Sequence, residues 1–188
     1  KSNDREKVTA IMRSQAVIEF TPDGTIVDAN EIFLNAVGYG RDEVIGKHHR
    51  MFVDPAEAQT GSYAAFWAGL AQGEFRNGQF QRFAKGGREI WLQATYTPIL
   101  GRSSKVESVI KFASDITAAK NAAADLAGKV AAVSRAQAVI EFKLDGTIVT
   151  ANENFLSTLG YRLEEIEGRH HRMFVEPAYA ASPEYEQF

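Results

Sequence analysis

The sequence predicts an α+β fold in which a five-stranded antiparallel sheet carries helices on one face, preceded by an amphipathic N-terminal helix. Three observations predict it. The first is a repeat: QAVIEFTPDGTIVDANEIFLNAVGY begins at Gln15 and QAVIEFKLDGTIVTANENFLSTLGY at Gln137, an ungapped offset of about 122 positions. Roughly 30 of about 52 paired positions are identical, so two copies of one unit are present. The second is the order of patterns in the first copy, two strands, then helices, then three strands. The third is an Ala-rich stretch between the copies with neither proline nor strand alternation.

The elements follow in order. Ala16 to Phe20, Pro22-Asp23-Gly24 and Thr25 to Val27 read as a hairpin with an Asp-Gly turn. Asn30 is an N-cap for 31–37, where Phe33, Leu34 and Val37 share a helical face, and Gly38 ends the helix. A short helix follows at 41–45, closed by Gly46. A longer one at 62–72 spaces Phe66, Trp67 and Leu70 helically before Gly73. Strands are expected at 78–84, after which Gly86-Gly87 turns the chain, then at 89–98, with Ile90, Leu92, Ala94 and Tyr96 alternating, and at 106–113. If the unit holds no cofactor, Phe33, Phe66, Phe80, Phe83 and Phe112 are expected to fill its pocket. The 118–136 stretch spaces Leu126, Val130 and Val133 as a helix, and the N-terminal 5–13 segment aligns with its end. Both helices are expected to bury their apolar stripes in a homodimer.

Composition narrows the class. Hydrophobic residues are 45% and charged residues 24%, as in an ordinary globular protein. A net charge of −3 without a basic block speaks against nucleic acid, and no apolar run is long enough for a membrane span. The sequence has no cysteine, which excludes disulfides, thiolate metal sites, cysteinyl adducts and cysteine nucleophiles. Neither a phosphate-binding glycine loop nor an acid–base pair appears, so the chain is expected not to be an enzyme.

Asp23-Gly24, Ala29-Asn30, Phe33, Gly38-Tyr39, Gly46, Trp91 with Pro98, and Asp115-Ile116-Thr117 together resemble the PAS family. The string His48-His49-Arg50-Met51-Phe52-Val53, repeated from His170, is similar to cytoplasmic chemoreceptors of the aerotaxis type. Similar modules also occur in histidine kinases and cyclic-di-GMP enzymes. The resemblance implies a helix at 1–14, a complete PAS domain at 15–117, a helical linker at 118–136 and the N-terminal half of a second PAS domain at 137–188. Such a half would carry an unpaired sheet edge that another chain or the first domain must cover.

It further implies a cytoplasmic sensor of redox state or oxygen that works through a cofactor and passes its state to a receptor signalling domain. FAD is the favoured cofactor, because Asn30 and Trp67 stand where flavin-binding modules place an amide and an aromatic wall, with Phe33, Asp54 and His49 as further candidate contacts. Haem is an alternative, with a histidine as axial ligand, and a cofactor-free dimerisation relay is another. The plainer reading of the histidine pair has one capping the second helix or bonding a loop carbonyl and the other solvated. Asp115, Thr117 and Trp91 are the expected relay residues, with Trp91 on the outer face of the sheet.

Overall fold

A computed structural model describes residues 2–187. The chain forms two units, residues 1–121 and 122–188.

In the first unit, helix α1 (Ser2–Ser14) leads into strand β1 (Ala16–Phe20), which turns at Gly24 into β2 (Ile26–Ala29). Helices α2 (Glu31–Val37), α3 (Arg41–Val44), α4 (Pro55–Ala58) and α5 (Gly61–Ala71) come next, with a 3₁₀ turn at His49–Phe52 between α3 and α4. Strands β3 (Arg76–Phe83), β4 (Glu89–Leu100) and β5 (Val106–Asp115) then complete an antiparallel sheet in the order β2-β1-β5-β4-β3. The chain's first strand thus lies beside its last, with Val17 opposite Phe112 and Phe20 opposite Val109. That central pairing closes the long helical excursion into one domain.

The expected alternation holds on β4, where Ile90, Leu92, Ala94 and Tyr96 are buried. It fails in an instructive way on the flanking strands. On β5 the inward residues are Val109, Lys111 and Ala113, so Phe112 sits on the opposite face. On β3 the buried residue is Arg82, and Phe83 alternates away from it. Two phenylalanines expected in the interior are therefore replaced there by two cations. Register imposes this exchange, because a strand's side chains change face at every residue and only one set fits the paired neighbours.

Asn30 fixes the entrance to the unit. Its Oδ1 accepts from the backbone N–H of Phe33 at 2.9 Å, capping α2, and from that of Val17 at 3.0 Å. Its Nδ2 donates to the carbonyls of Met12 at 2.8 Å and Gln15 at 2.7 Å. One side chain thus ties the end of α1 to β1 and to α2.

The second unit repeats the beginning of this plan. Helix α6 (Thr117–Ala136), which starts in the first unit, leads into β6 (Ile140–Phe142) and β7 (Ile148–Ala151), an antiparallel pair. Helices α7 (Glu153–Leu159), α8 (Leu163–Ile166), α9 (Pro177–Ala180) and α10 (Pro183–Glu186) follow around a small core of Ile148, Leu156 and Ile166. Asn152 reproduces the bonds of Asn30, accepting from Phe155 and Val139 and donating to the carbonyls of Ser134 and Gln137.

Replacing Asn30 by Ala removes a cap and leaves partly buried backbone groups unpaired, for an expected loss of about 2 kcal/mol in urea unfolding. Asn30→Asp, which keeps the capping oxygen but sets a carboxylate against two carbonyls, is expected to lose hydrogen-exchange protection first at Gln15 to Val17.

Candidate functional site

The turn that starts the site is set by a glycine. Gly24 has φ of +94°, and a Cβ there would stand 2.8 Å from His48 Nε2 and 2.9 Å from Trp67. Only glycine permits both the backbone conformation and the approach. His48 then closes the turn: its Nδ1 accepts from the Arg50 N–H at 3.1 Å, so Nε2 carries the proton and donates to the Asp23 carbonyl at 2.7 Å. Burial lowers the His48 pKa.

His49 does not follow the sequence expectation for a second, solvated histidine. It is 0% exposed, and its Nδ1 meets the Tyr63 hydroxyl at 2.9 Å while its Nε2 meets the Tyr96 hydroxyl at 3.0 Å. The reason is geometric: the 3₁₀ turn swings successive side chains in different directions, so one of two adjacent histidines must point inward. Burial, reinforced by the charges of Lys111, Arg82 and His48, holds His49 well below the usual imidazole pKa, so the ring is neutral. A neutral ring donates at one nitrogen and accepts at the other. One of the Tyr63 and Tyr96 hydroxyls therefore donates to the ring and the other accepts from it. Lys111 Nζ lies 4.9 Å from the centre of the Tyr96 ring, and the charges of Lys111 and Arg82 act on the Tyr96 hydroxyl. Burial pushes the Tyr96 pKa up, but the two cations outweigh it and leave a net downward shift. The Tyr63 pKa is raised by burial.

Aromatic rings fill the space around this chain of bonds. Trp67 meets Phe20 and His49 edge-on at 5.3 Å each, and Phe66 meets Tyr96 at 5.0 Å. Phe33 is buried against Phe52 at 5.5 Å. The Trp67 Nε1 and Arg82 Nε are buried without a hydrogen-bond partner.

Of the residues expected to hold a cofactor, Phe33, Trp67 and His49 are thus brought into one interior. Asn30 and Asp54 are not. All four hydrogen-bonding positions of the Asn30 amide are used by backbone groups. Asp54 is exposed and caps α4 through the Ala56 N–H at 2.8 Å. Tyr63, Arg82 and Lys111 were not singled out from the sequence, and Tyr96 was read only as one of the alternating residues of its strand. The signal for Lys111 was its position between Val109 and Ala113, and that for Arg82 its place two residues after Phe80.

At the exit of the domain, Asp115 Oδ1 accepts from the Thr117 N–H at 2.9 Å, and Thr117 Oγ1 accepts from the Trp91 N–H at 3.0 Å. The Ile116 N–H donates to the Trp91 carbonyl at 2.8 Å, and Lys120 Nζ lies 4.7 Å from the Trp91 ring. The start of α6 is therefore fastened to β4 at Trp91, a partly buried residue that alternates away from the inward Ile90 and Leu92.

Residues 26–113 match the family model of the PAS fold, and residues 137–188 match that of the PAS domain. This chain belongs to the PAS family. Its tandem PAS arrangement is 45% identical over 178 residues to the biofilm dispersion protein BdlA of Pseudomonas aeruginosa, a match covering 95% of this chain and 43% of BdlA. The chain thus spans less than half the length of that relative. Among solved structures, a PAS domain from Colwellia psychrerythraea is 22% identical with a TM-score of 0.52, covering 60% of this chain and 96% of that one. A light-oxygen-voltage domain studied with a flavin analogue is 24% identical with a TM-score of 0.51, covering 69% and 97%. These likenesses show a shared fold. Among the described residues, no helix is long and apolar enough to cross a membrane.

His49→Phe orphans two buried PAS-core hydroxyls and is expected to cost about 2–4 kcal/mol in urea unfolding, part of which a second substitution, Tyr63→Phe, restores. The pH dependence follows from the lowered His49 pKa. Above about pH 6.5 the ring is neutral folded or unfolded, and its bonds contribute fully. Below that value the unfolded chain takes up a proton that the folded chain refuses, so stability falls by up to about 1.4 kcal/mol per pH unit. Denaturation midpoints between pH 7 and pH 5 measure this, and His49→Phe is expected to flatten the slope.

Proposed function

We propose that this chain is the sensory input segment of a chemotaxis-type signal transducer, in which the first PAS domain senses a ligand in its interior and reports it through the start of α6. One observation carries the reading: a buried polar cluster, in which Tyr63 and Tyr96 hydrogen-bond the two nitrogens of His49 and the charges of Lys111 and Arg82 act on Tyr96, joins β5, β3, β4, the 3₁₀ turn and α5 in the interior of the domain. A purely structural core gains little from such groups, since burying charge without a counter-charge is costly. A sensor does gain, because a ligand that engages one member alters the hydrogen bonding of the others.

The output route is the junction described above. Tyr96 and Trp91 lie on the same strand, and Trp91 carries both backbone bonds to the Ile116–Thr117 segment. A shift of β4 is therefore felt at the first turn of α6. The similarity to BdlA supports a role in bacterial signal transduction, with the output domain supplied by the rest of the protein. Exposed Leu126, Val130 and Val133 on α6 support assembly as a homodimer.

Flavin and haem are tested against the same geometry. The Asn30 amide has no free donor or acceptor to offer an isoalloxazine, and Phe20, Trp67, Phe66 and Tyr96 pack edge-on where a planar ring would need a slot. Both ring nitrogens of His49 are engaged by tyrosines, which leaves none for an axial bond. These arrangements favour a compact ligand over either cofactor.

An absorption spectrum of the purified chain, expressed with both cofactors available, is expected to show neither flavin bands nor a Soret band. Flavin bands that vanish in Trp67→Ala would move the reading to FAD. For the relay, Thr117→Val is expected to loosen the first turn of α6, read as faster amide exchange at residues 117–121, without lowering the domain's unfolding midpoint by more than about 1 kcal/mol.

A further inference from the structure

Two cations lie in the interior of the first PAS domain, and no buried carboxylate lies with them. Lys111 is 1% exposed and Arg82 is 4% exposed, and the buried polar residues among those described are these two and His49. Lys111 has no ion-pair partner among the described residues. Its Nζ instead sits 4.9 Å from the centre of the Tyr96 ring and 5.6 Å from that of Phe33. The Arg82 guanidinium lies 5.0 Å from the Phe80 ring, and its Nη1 donates to the Gln81 carbonyl at 2.6 Å. The nearest carboxylate to Arg82 is Glu57, 3.9 Å from Nη1 on a side chain that is 50% exposed.

Ring faces soften this charge but do not neutralise it. Burial lowers the Lys111 pKa, yet an arginine stays protonated under any physiological condition. The unmet hydrogen bonds have the same sense. The Arg82 Nε and the Trp67 Nε1 are both buried donors without a partner. Lysine, arginine and tryptophan side chains carry no acceptor, so these groups cannot satisfy one another. Only an incoming acceptor completes the set, and one that also carries negative charge offsets the two cations.

We propose that the first PAS domain binds a compact oxyanion, a small carboxylate or an inorganic phosphate-like ion, between Arg82 and Lys111 beside Tyr96. This rests on the reading that the domain senses an interior ligand, and it assigns that ligand's chemistry. Arginine supplies a planar fork matched to two oxygens of a carboxylate or phosphate, and lysine a point charge. Glu57, whose half-exposed carboxylate lies 3.9 Å from Arg82 Nη1, is the carboxylate the ligand displaces. Binding beside Tyr96 then offsets the two charges that act on its hydroxyl and resets the hydrogen bond to His49.

The test is thermal unfolding and titration calorimetry of the full chain, freed of anions by dialysis, against acetate, succinate, phosphate and sulfate at constant ionic strength with chloride as control. At least one is expected to bind saturably and raise the midpoint with concentration, as a ligand specific to the folded state must. Which of them does so separates carboxylates from phosphate-like ions. Lys111→Met is expected to raise the midpoint in anion-free buffer, because an uncompensated buried charge is removed, and to weaken the anion at least tenfold. A merely structural lysine would instead lower the midpoint when replaced. Arg82→Gln is expected to weaken the anion similarly, so the result does not depend on one variant folding. No saturable response to any of the four, or equal binding by both variants, overturns the assignment. Should an anion bind while amide exchange at residues 117–121 stays unchanged, the site stands and the sensory reading fails. Should flavin or haem bind and no anion, the sensory reading stands and the anion site fails.

Discussion

His49 is the side chain on which the interior of the first PAS domain depends. It arrives from a four-residue 3₁₀ turn, and its two nitrogens reach α5 through Tyr63 and the sheet through Tyr96. Few groups can bridge a helix and a strand in this way, because a neutral imidazole is both a donor and an acceptor in one rigid ring. The backbone holds the ring from behind, with the His49 N–H donating to the carbonyl of Gly24 at 2.9 Å. The Asp-Gly turn, the histidine pair and the two tyrosines therefore form one cooperative unit. A histidine placed there stays neutral, because burial, reinforced by the nearby cations, holds its pKa down.

The two ends of the domain are joined to their helices by a similar economy. At the entrance a single amide, Asn30, satisfies backbone groups from α1, β1 and α2. At the exit, Asp115 and Thr117 bind the first turn of α6 to the backbone at Trp91. Neither junction relies on apolar packing alone. Hydrogen bonds of this kind have narrow geometry, so small movements of the sheet break or realign them rather than stretch them. A domain that reports an interior event to a flanking helix needs joints with that property.

The second unit shows which of these devices repeat. Asn152 laces the chain before it as Asn30 does, and His170 caps its turn through the Arg172 N–H as His48 does through that of Arg50. His171 meets the Tyr185 hydroxyl at 3.0 Å, as His49 meets Tyr63. Arg82, Tyr96 and Lys111 of the first site stand on β3, β4 and β5. The site therefore divides into a portion carried by the N-terminal half of a PAS domain and a portion contributed by its last three strands.

Much of this was legible in the residues. The repeat, the caps, the glycine turns and the alternation on β4 are local patterns, and local patterns report backbone geometry directly. Asn30 was recognisable as a cap, since capping depends only on residues a few positions away. What it binds besides α2 was not, because Met12, Gln15 and Val17 come to it through the fold. The histidine pair was visible as a motif, while the choice between a solvated and a buried ring depended on the direction of one turn. Lys111 and Arg82 were least legible of all. A charged residue within an apolar strand reads as the solvent side unless the register with its neighbours is known, and that register is set by long-range pairing of β5 with β1 and β4. The sequence by itself determined the strands, the helices at 31–37, 41–45 and 62–72, their order and the PAS family, because those follow from spacing and local propensity, whereas the short 3₁₀ turn at His49–Phe52 and helix α4 carried too few residues to show a period. The tertiary structure alone decided that two cations, two tyrosines and a histidine share one interior, because only pairing of distant strands brings residues 49, 63, 82, 96 and 111 together.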